Sequence, residues 1–253
     1  MKTSYRTLQP EKIVDTIALL ARRIEERFPR SSLAAVAQEL HQVSREAWLR
    51  AEQIRRPAWG LRLVIGLLLA AIVALVAVPA ARLQLGGELL RLENFVQLMD
   101  SVLASLVVIG AVIAFLVTLE VRLKRDRALA AIHELRALAH IVDMHQLTKD
   151  PERVTGRGPA TESSPKPALT AFELGRYLDY CSELLSLISK LGALYAQNLR
   201  DRVALEAVDQ LANLTNGLSR NIWQKIIILE SILSPGPRPP LGPTPAAPDE
   251  PRR

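Results

Sequence analysis

Three of the chain's four histidines, His133, His140 and His145, fall within thirteen residues that also hold Glu134 and Asp143. Imidazoles and carboxylates gathered in this way can bind a divalent metal or move a proton. The spacing restricts both. The zinc-protease helix pattern needs two histidines four residues apart, and four residues after His133 stands Ala137. His133 and His140 share a helix face but lie about 10 Å apart along the axis, too far for one ion with metal–nitrogen bonds of about 2 Å. His140 and Asp143 could share an ion, whereas His145 points about 140° away from His140. His140, Asp143 and His145 are therefore the metal candidates of this chain. The expectation is solvated histidines on a helix surface, with no metal.

Other chemistry finds less to work with. Cys181 is the single cysteine, so internal disulfides and cysteine-based metal sites are excluded. No Gly-x-Ser-x-Gly turn and no recognisable Cys/His pairing supplies a nucleophile. No phosphate-cradling Gly-x-x-x-x-Gly-Lys loop is present, and Gly156 and Gly158 stand in a stretch rich in Pro, Ser and Thr. The sequence predicts neither an enzyme nor a cofactor.

The elements that carry these residues are helices. Apolar residues make up 49% of the 253 residues and aromatics only 4%, with Leu, Ala and Arg abundant. Such a mix favours helix over strand. Leu63 to Ala81 and Ser101 to Leu119 contain no charged residue. Each has about the 20 residues needed to cross about 30 Å of hydrocarbon. So short a chain has too little else to bury two helices that are apolar on every side. The expected fold class is all-α: an integral membrane protein with a two-helix transmembrane hairpin and amphipathic, coiled-coil-like cytoplasmic helices.

Orientation follows from the basic residues beside the spans. Arg50, Arg55, Arg56 and Arg62 precede the first, and Arg122, Lys124, Arg125 and Arg127 follow the second; the connection has only Arg82 and Arg91. Both termini are thus expected in the cytoplasm, with a bacterial inner membrane as the expected location. The basic flanks suit anionic headgroups. Nucleic acid is not an expected partner, because Tyr5, Phe28, Trp48 and Trp59 are too scattered to interleave with the charge. Small residues in line, Gly66, Ala70 and Ala74 in one span and Ser101, Ser105, Gly110 and Ala114 in the other, predict close packing of the spans or of copies.

The expected order is an N-terminal helical hairpin (1–60), a first span (61–81), a short outside connection (82–99) and a second span (100–120). A helical stalk (121–148), a disordered linker (149–168), a second helical hairpin (169–233) and a Pro-rich disordered tail (234–253) follow. In the first hairpin, Ile13, Ile17, Leu20, Ile24 and Phe28 line one face, and Leu33, Val36, Leu40, Val43 and Ala47 the other. The stalk carries a seam of Ala128, Ile132, Leu135, Ala139 and Val142. Thr170 and Glu173 form a capping-box pattern ahead of the clearest heptad stripe: Leu174, Tyr177, Cys181, Leu184, Ile188, Leu191 and Tyr195.

These helical faces, read without a globular core, predict a membrane-anchored interaction or scaffold protein. It would self-associate or join a membrane complex through the Leu174–Tyr195 seam. Two other readings stand beside it: a cytoplasmic-side ligand or metal sensor using the histidine-bearing stalk, and an accessory subunit of a transporter or defence complex.

Overall fold

The computed structural model describes residues 7–55, 59–84, 92–154, 162, 169–199 and 201–233. Among these the protein is all-α, with seven helices and no strand: α1 (Pro10–Arg27), α2 (Ser32–Arg55), α3 (Trp59–Gln84), α4 (Leu92–Leu147), α5 (Pro151–Val154), α6 (Ala171–Asn198) and α7 (Arg202–Leu233).

Local chemistry sets most of the boundaries. Pro10 stands in the first turn of α1, where its missing N–H costs nothing. Phe28 closes the helix by donating its N–H to Ile24 O at 2.8 Å, and Arg30 takes a left-handed φ of 56° in the turn. Ser31 then caps α2, its Oγ accepting from the Ala34 N–H at 3.1 Å. At α6 the capping box is complete: Thr170 Oγ1 accepts from the Glu173 N–H, and the Glu173 carboxylate accepts from the Thr170 N–H at 2.8 Å. No Gly or Pro separates α6 from α7. Leu199 is extended instead, and Asp201 caps α7 by accepting from the Ala204 N–H at 3.0 Å.

Five helices share one hydrophobic core. It is built from the inward faces of α1, α2, α6 and α7 and the second half of α4, with Ile17, Leu33, Leu40, Ala139, Leu184, Ile188 and Ile222 all fully buried. Each such Leu or Ile contributes about 1.5–3 kcal/mol relative to exposure. Contacts along the helices give their directions. Leu8 bonds to Gln197, Arg23 to Glu183, and Phe28 packs edge-on to Tyr177, so α1 and α6 are antiparallel. Gly192 lies under Leu211 and Gly175 under Leu229, so α6 and α7 are antiparallel too.

This core corrects the reading of loose amphipathic faces. The stretch expected as a free stalk is the second half of α4. Its seam is enclosed, with Ala128, Ile132, Leu135, Ala139 and Val142 between 0% and 3% exposed. The faces of α1 and α2, too few to make a core alone, complete that of the bundle. Two boundaries also move. Helix α4 begins at Leu92, well inside the stretch 82–99 expected as connection, and α5 occupies the start of the expected linker, with Pro151 buried. Residues 85–91, the later linker residues 155–161 and 163–168, and the tail 234–253 lie outside the described residues.

Helix α4 contains 56 residues, about 84 Å at 1.5 Å per residue. The stretch Leu106–Leu147 is long and apolar enough to cross a membrane, with an apolar window of mean hydropathy 2.4, none of it buried. Helix α3 packs beside α4 and exposes Leu63, Val64, Leu67 and Val73.

Candidate functional site

The histidine segment forms the outer face of α4. His133 and His140 are exposed. His145 Nδ1 lies 2.8 Å from Ile141 O, and because a carbonyl only accepts, Nδ1 carries the hydrogen. Asp143 Oδ1 accepts from Gln146 Nε2 at 2.7 Å, turning that carboxylate toward the bundle. His140, Asp143 and His145 therefore have different surroundings and do not converge. Among the described residues, no three His, Cys, Asp or Glu side chains are placed to hold an ion together.

The Leu174–Tyr195 stripe is the centre of the core. Leu174, Tyr177, Cys181, Leu184, Ile188, Leu191 and Tyr195 are at most 5% exposed. The chain's own α1, α2, α4 and α7 pack against α6 and cover this seam. A heptad stripe specifies that a face is buried and leaves open which helix buries it. Burial pushes the Cys181 thiol up to about 12 from 9.0 and the Tyr195 hydroxyl up to about 12 from 10.0, and it also raises Tyr177.

The small residues of the spans lie in the open. Gly66, Ala70, Ala74, Gly110 and Ala114 are exposed, and a Cβ placed on Gly66 or Gly110 would meet nothing within 4 Å. The side chains of Ser101 and Ser105 lie outside the described residues.

Polar links join the bundle at both ends. Arg50 Nη1 donates to Glu134 Oε2 at 2.7 Å and Nη2 to Glu46 Oε2 at 2.7 Å, near Tyr195. At the far end Lys225 Nζ donates to Gln146 O at 2.8 Å, and burial lowers the Lys225 pKa. Gln146 is itself 2% exposed, and its Oε1 has no hydrogen-bond partner. Beside them the Arg23 and Arg176 guanidinium carbons stand 5.3 and 5.0 Å from the Tyr180 ring centroid.

Sequence reasoning missed the outward face of α7. Trp223 and Ile227, four residues apart, are each 58% exposed. Trp223 borders an open groove of about 470 Å³ that Thr16, Glu183, Ser186 and Lys190 also line. The signal was available: both residues fall off the buried stripe of α7, where a helix surface is ordinarily polar.

No known family, curated protein or solved structure matches this chain.

Proposed function

We propose that this chain is a membrane-anchored interaction protein, with α3 and α4 crossing a bilayer as a hairpin and the five-helix bundle standing on the cytoplasmic side. The observation that carries this reading is the change of environment along α4. No described side chain from Met99 to Arg127 is buried, whereas Ala128, Ala131, Ile132 and Leu135 are at most 3% exposed. One unbroken helix therefore has a half that requires an apolar solvent and a half already enclosed by protein. The flanking arginines and lysines give the direction by the positive-inside rule.

The partner surface in this reading is the outer face of α7. Large exposed side chains at i and i+4 form the kind of anchor pair that a helix offers to another helix or a groove. A partner protein or a second copy would bury Trp223 and Ile227 together. The test is photocrosslinking in membranes from a photoreactive residue at position 223 or 227. A discrete adduct, weakened by aspartate at the other position, is expected. No adduct from either position, in folded and membrane-inserted protein, removes the interaction reading.

A further inference from the structure

We infer that a second copy of this chain docks on the outer face of α4, the two α4 helices pairing there as a parallel coiled coil. The inference rests on the membrane reading, which sets the direction of the pairing, and it uses a surface separate from Trp223 and Ile227. Ala130, His133, Ala137, His140, Met144 and Leu147 follow one another at spacings of three and four, and all six are exposed. Ala137 stands two residues from Leu135 and from Ala139, both in the buried seam, which is about 160° round the axis either way. Helix α4 thus carries two heptad stripes back to back, one enclosed by its own chain and one bare.

A solvated helix face is ordinarily charged. Met144 and Leu147 are instead 66% and 61% exposed, and the six residues include no Asp, Glu, Lys or Arg. The charges of 130–147 are Glu134, Arg136 and Asp143, and each adjoins a stripe residue, in the e and g places of a coiled coil. A second copy is the occupant because two-fold pairing sets each residue against itself, which an uncharged stripe accepts. Anchorage in one bilayer with a common orientation makes the paired helices parallel. The flanking contacts are then Leu129 with Glu134, Arg136 with Ile141 and Asp143 with Thr148, so no like charges meet. Ala130 and Ala137 let the backbones approach. A neutral imidazole has one donor and one acceptor, so His133 and His140 can each bond to their counterparts and fix the register.

Helix α3 leaves room for this. At the same heptad positions further back, Ile109, Val112, Leu116 and Leu119 are half-buried, and α3 packs on this half of α4. The copies therefore touch above α3 and spread below it. Ala114 lies 24 residues back from Leu138, about 36 Å along the axis. A crossing angle of about 20° opens about 12 Å over that length.

The test is disulfide trapping of the full chain in its membranes, with Cys181→Ala as background and copper–phenanthroline as oxidant. Single cysteines are placed by Ala130→Cys, Ala137→Cys and Met144→Cys, with Glu11→Cys on α1 as control, and each variant's helicity is checked. Dimer adducts from all three stripe positions are expected at several-fold the control yield. Adducts at both 130 and 144 arise only from a parallel pair in register. Ala137→Glu, on an exposed position, should lower the Ala130→Cys adduct several-fold. Stripe yields no higher than the control, in protein that resists carbonate extraction, would overturn the pairing alone. Adducts confined to Ala137→Cys would overturn its parallel register. Release of the chain by carbonate would overturn the membrane reading, and with it the direction of pairing.

Discussion

Arg50 Nη1 and Glu134 Oε2 meet at 2.7 Å, joining residues 84 apart in the chain, with all of α3 between them. The bond clamps the end of α2 to the second half of α4, so the chain leaves for the apolar helices and returns to the same place. The hydrogen bond to Glu134 is the main cause raising the Arg50 pKa. The two side chains are 37% and 40% exposed, so solvent screens the pair. A double-mutant cycle of Arg50→Ala and Glu134→Gln should therefore give a coupling of only about 0.5–1 kcal/mol. A coupling indistinguishable from zero would show that the core alone holds α2 on α4.

Alkaline pH should loosen the bundle. The folded-state pKa values of Cys181 and Tyr195 are both pushed up to about 12, from ordinary values of 9.0 and 10.0, and that of Tyr177 is raised as well. The folded chain thus holds protons that the unfolded chain releases. The associated stability is complete below the unfolded values and is lost as pH rises from about 9 through about 12. Thermal melts followed by circular dichroism should show Tm falling steadily over that window. Tyr195→Phe should shallow the fall. A Tm flat across the window would mean these groups are open to water.

Two glycines on α6 make a matched pair. A Cβ at Gly175 would meet Leu229 Cδ2 at 3.7 Å, an ordinary contact, whereas one at Gly192 would meet Leu211 Cδ2 at 2.6 Å. Gly175→Ala should stabilise by up to about 1 kcal/mol through helix propensity. Gly192→Ala must displace a side chain that is 1% exposed, and overpacking of that kind costs about 1–3 kcal/mol. Denaturant melts should order the variants Gly175→Ala, wild type, Gly192→Ala. The reverse order would place the two helices further apart than described.

Cys181 should be chemically silent in the folded protein. It is fully buried, and burial suppresses the thiolate that reacts. A small maleimide should modify it only after denaturation. Rapid modification under native conditions would mean that the bundle opens around α6.

The helices and their inward faces were legible because a 3.6-residue period marks burial directly, as in Ile13, Ile17, Leu20 and Ile24 of α1. The cap at Thr170 was legible for the same local reason. Partnership was not. Leu184 and Ile188 read as one half of an interface, and nothing in their spacing says whether the other half is Ile17 and Leu40 or a second chain. The hairpin expected over 169–233 is present, with α6 ending at Asn198 and α7 beginning at Arg202; no Gly or Pro marks its turn, and Asp201 supplies the cap. Trp223 and Ile227 escaped for the opposite reason: a search for periodic faces passes over the residues that break them.

Topology is the most direct test of the whole account, and it is read by labelling single cysteines in intact cells with a membrane-impermeant maleimide, with Cys181→Ala as background. Glu88→Cys, between α3 and α4, should be labelled from outside, and Glu11→Cys and Gln224→Cys only after permeabilisation. Labelling of all three sites alike, or recovery of the chain in the soluble fraction, would contradict it.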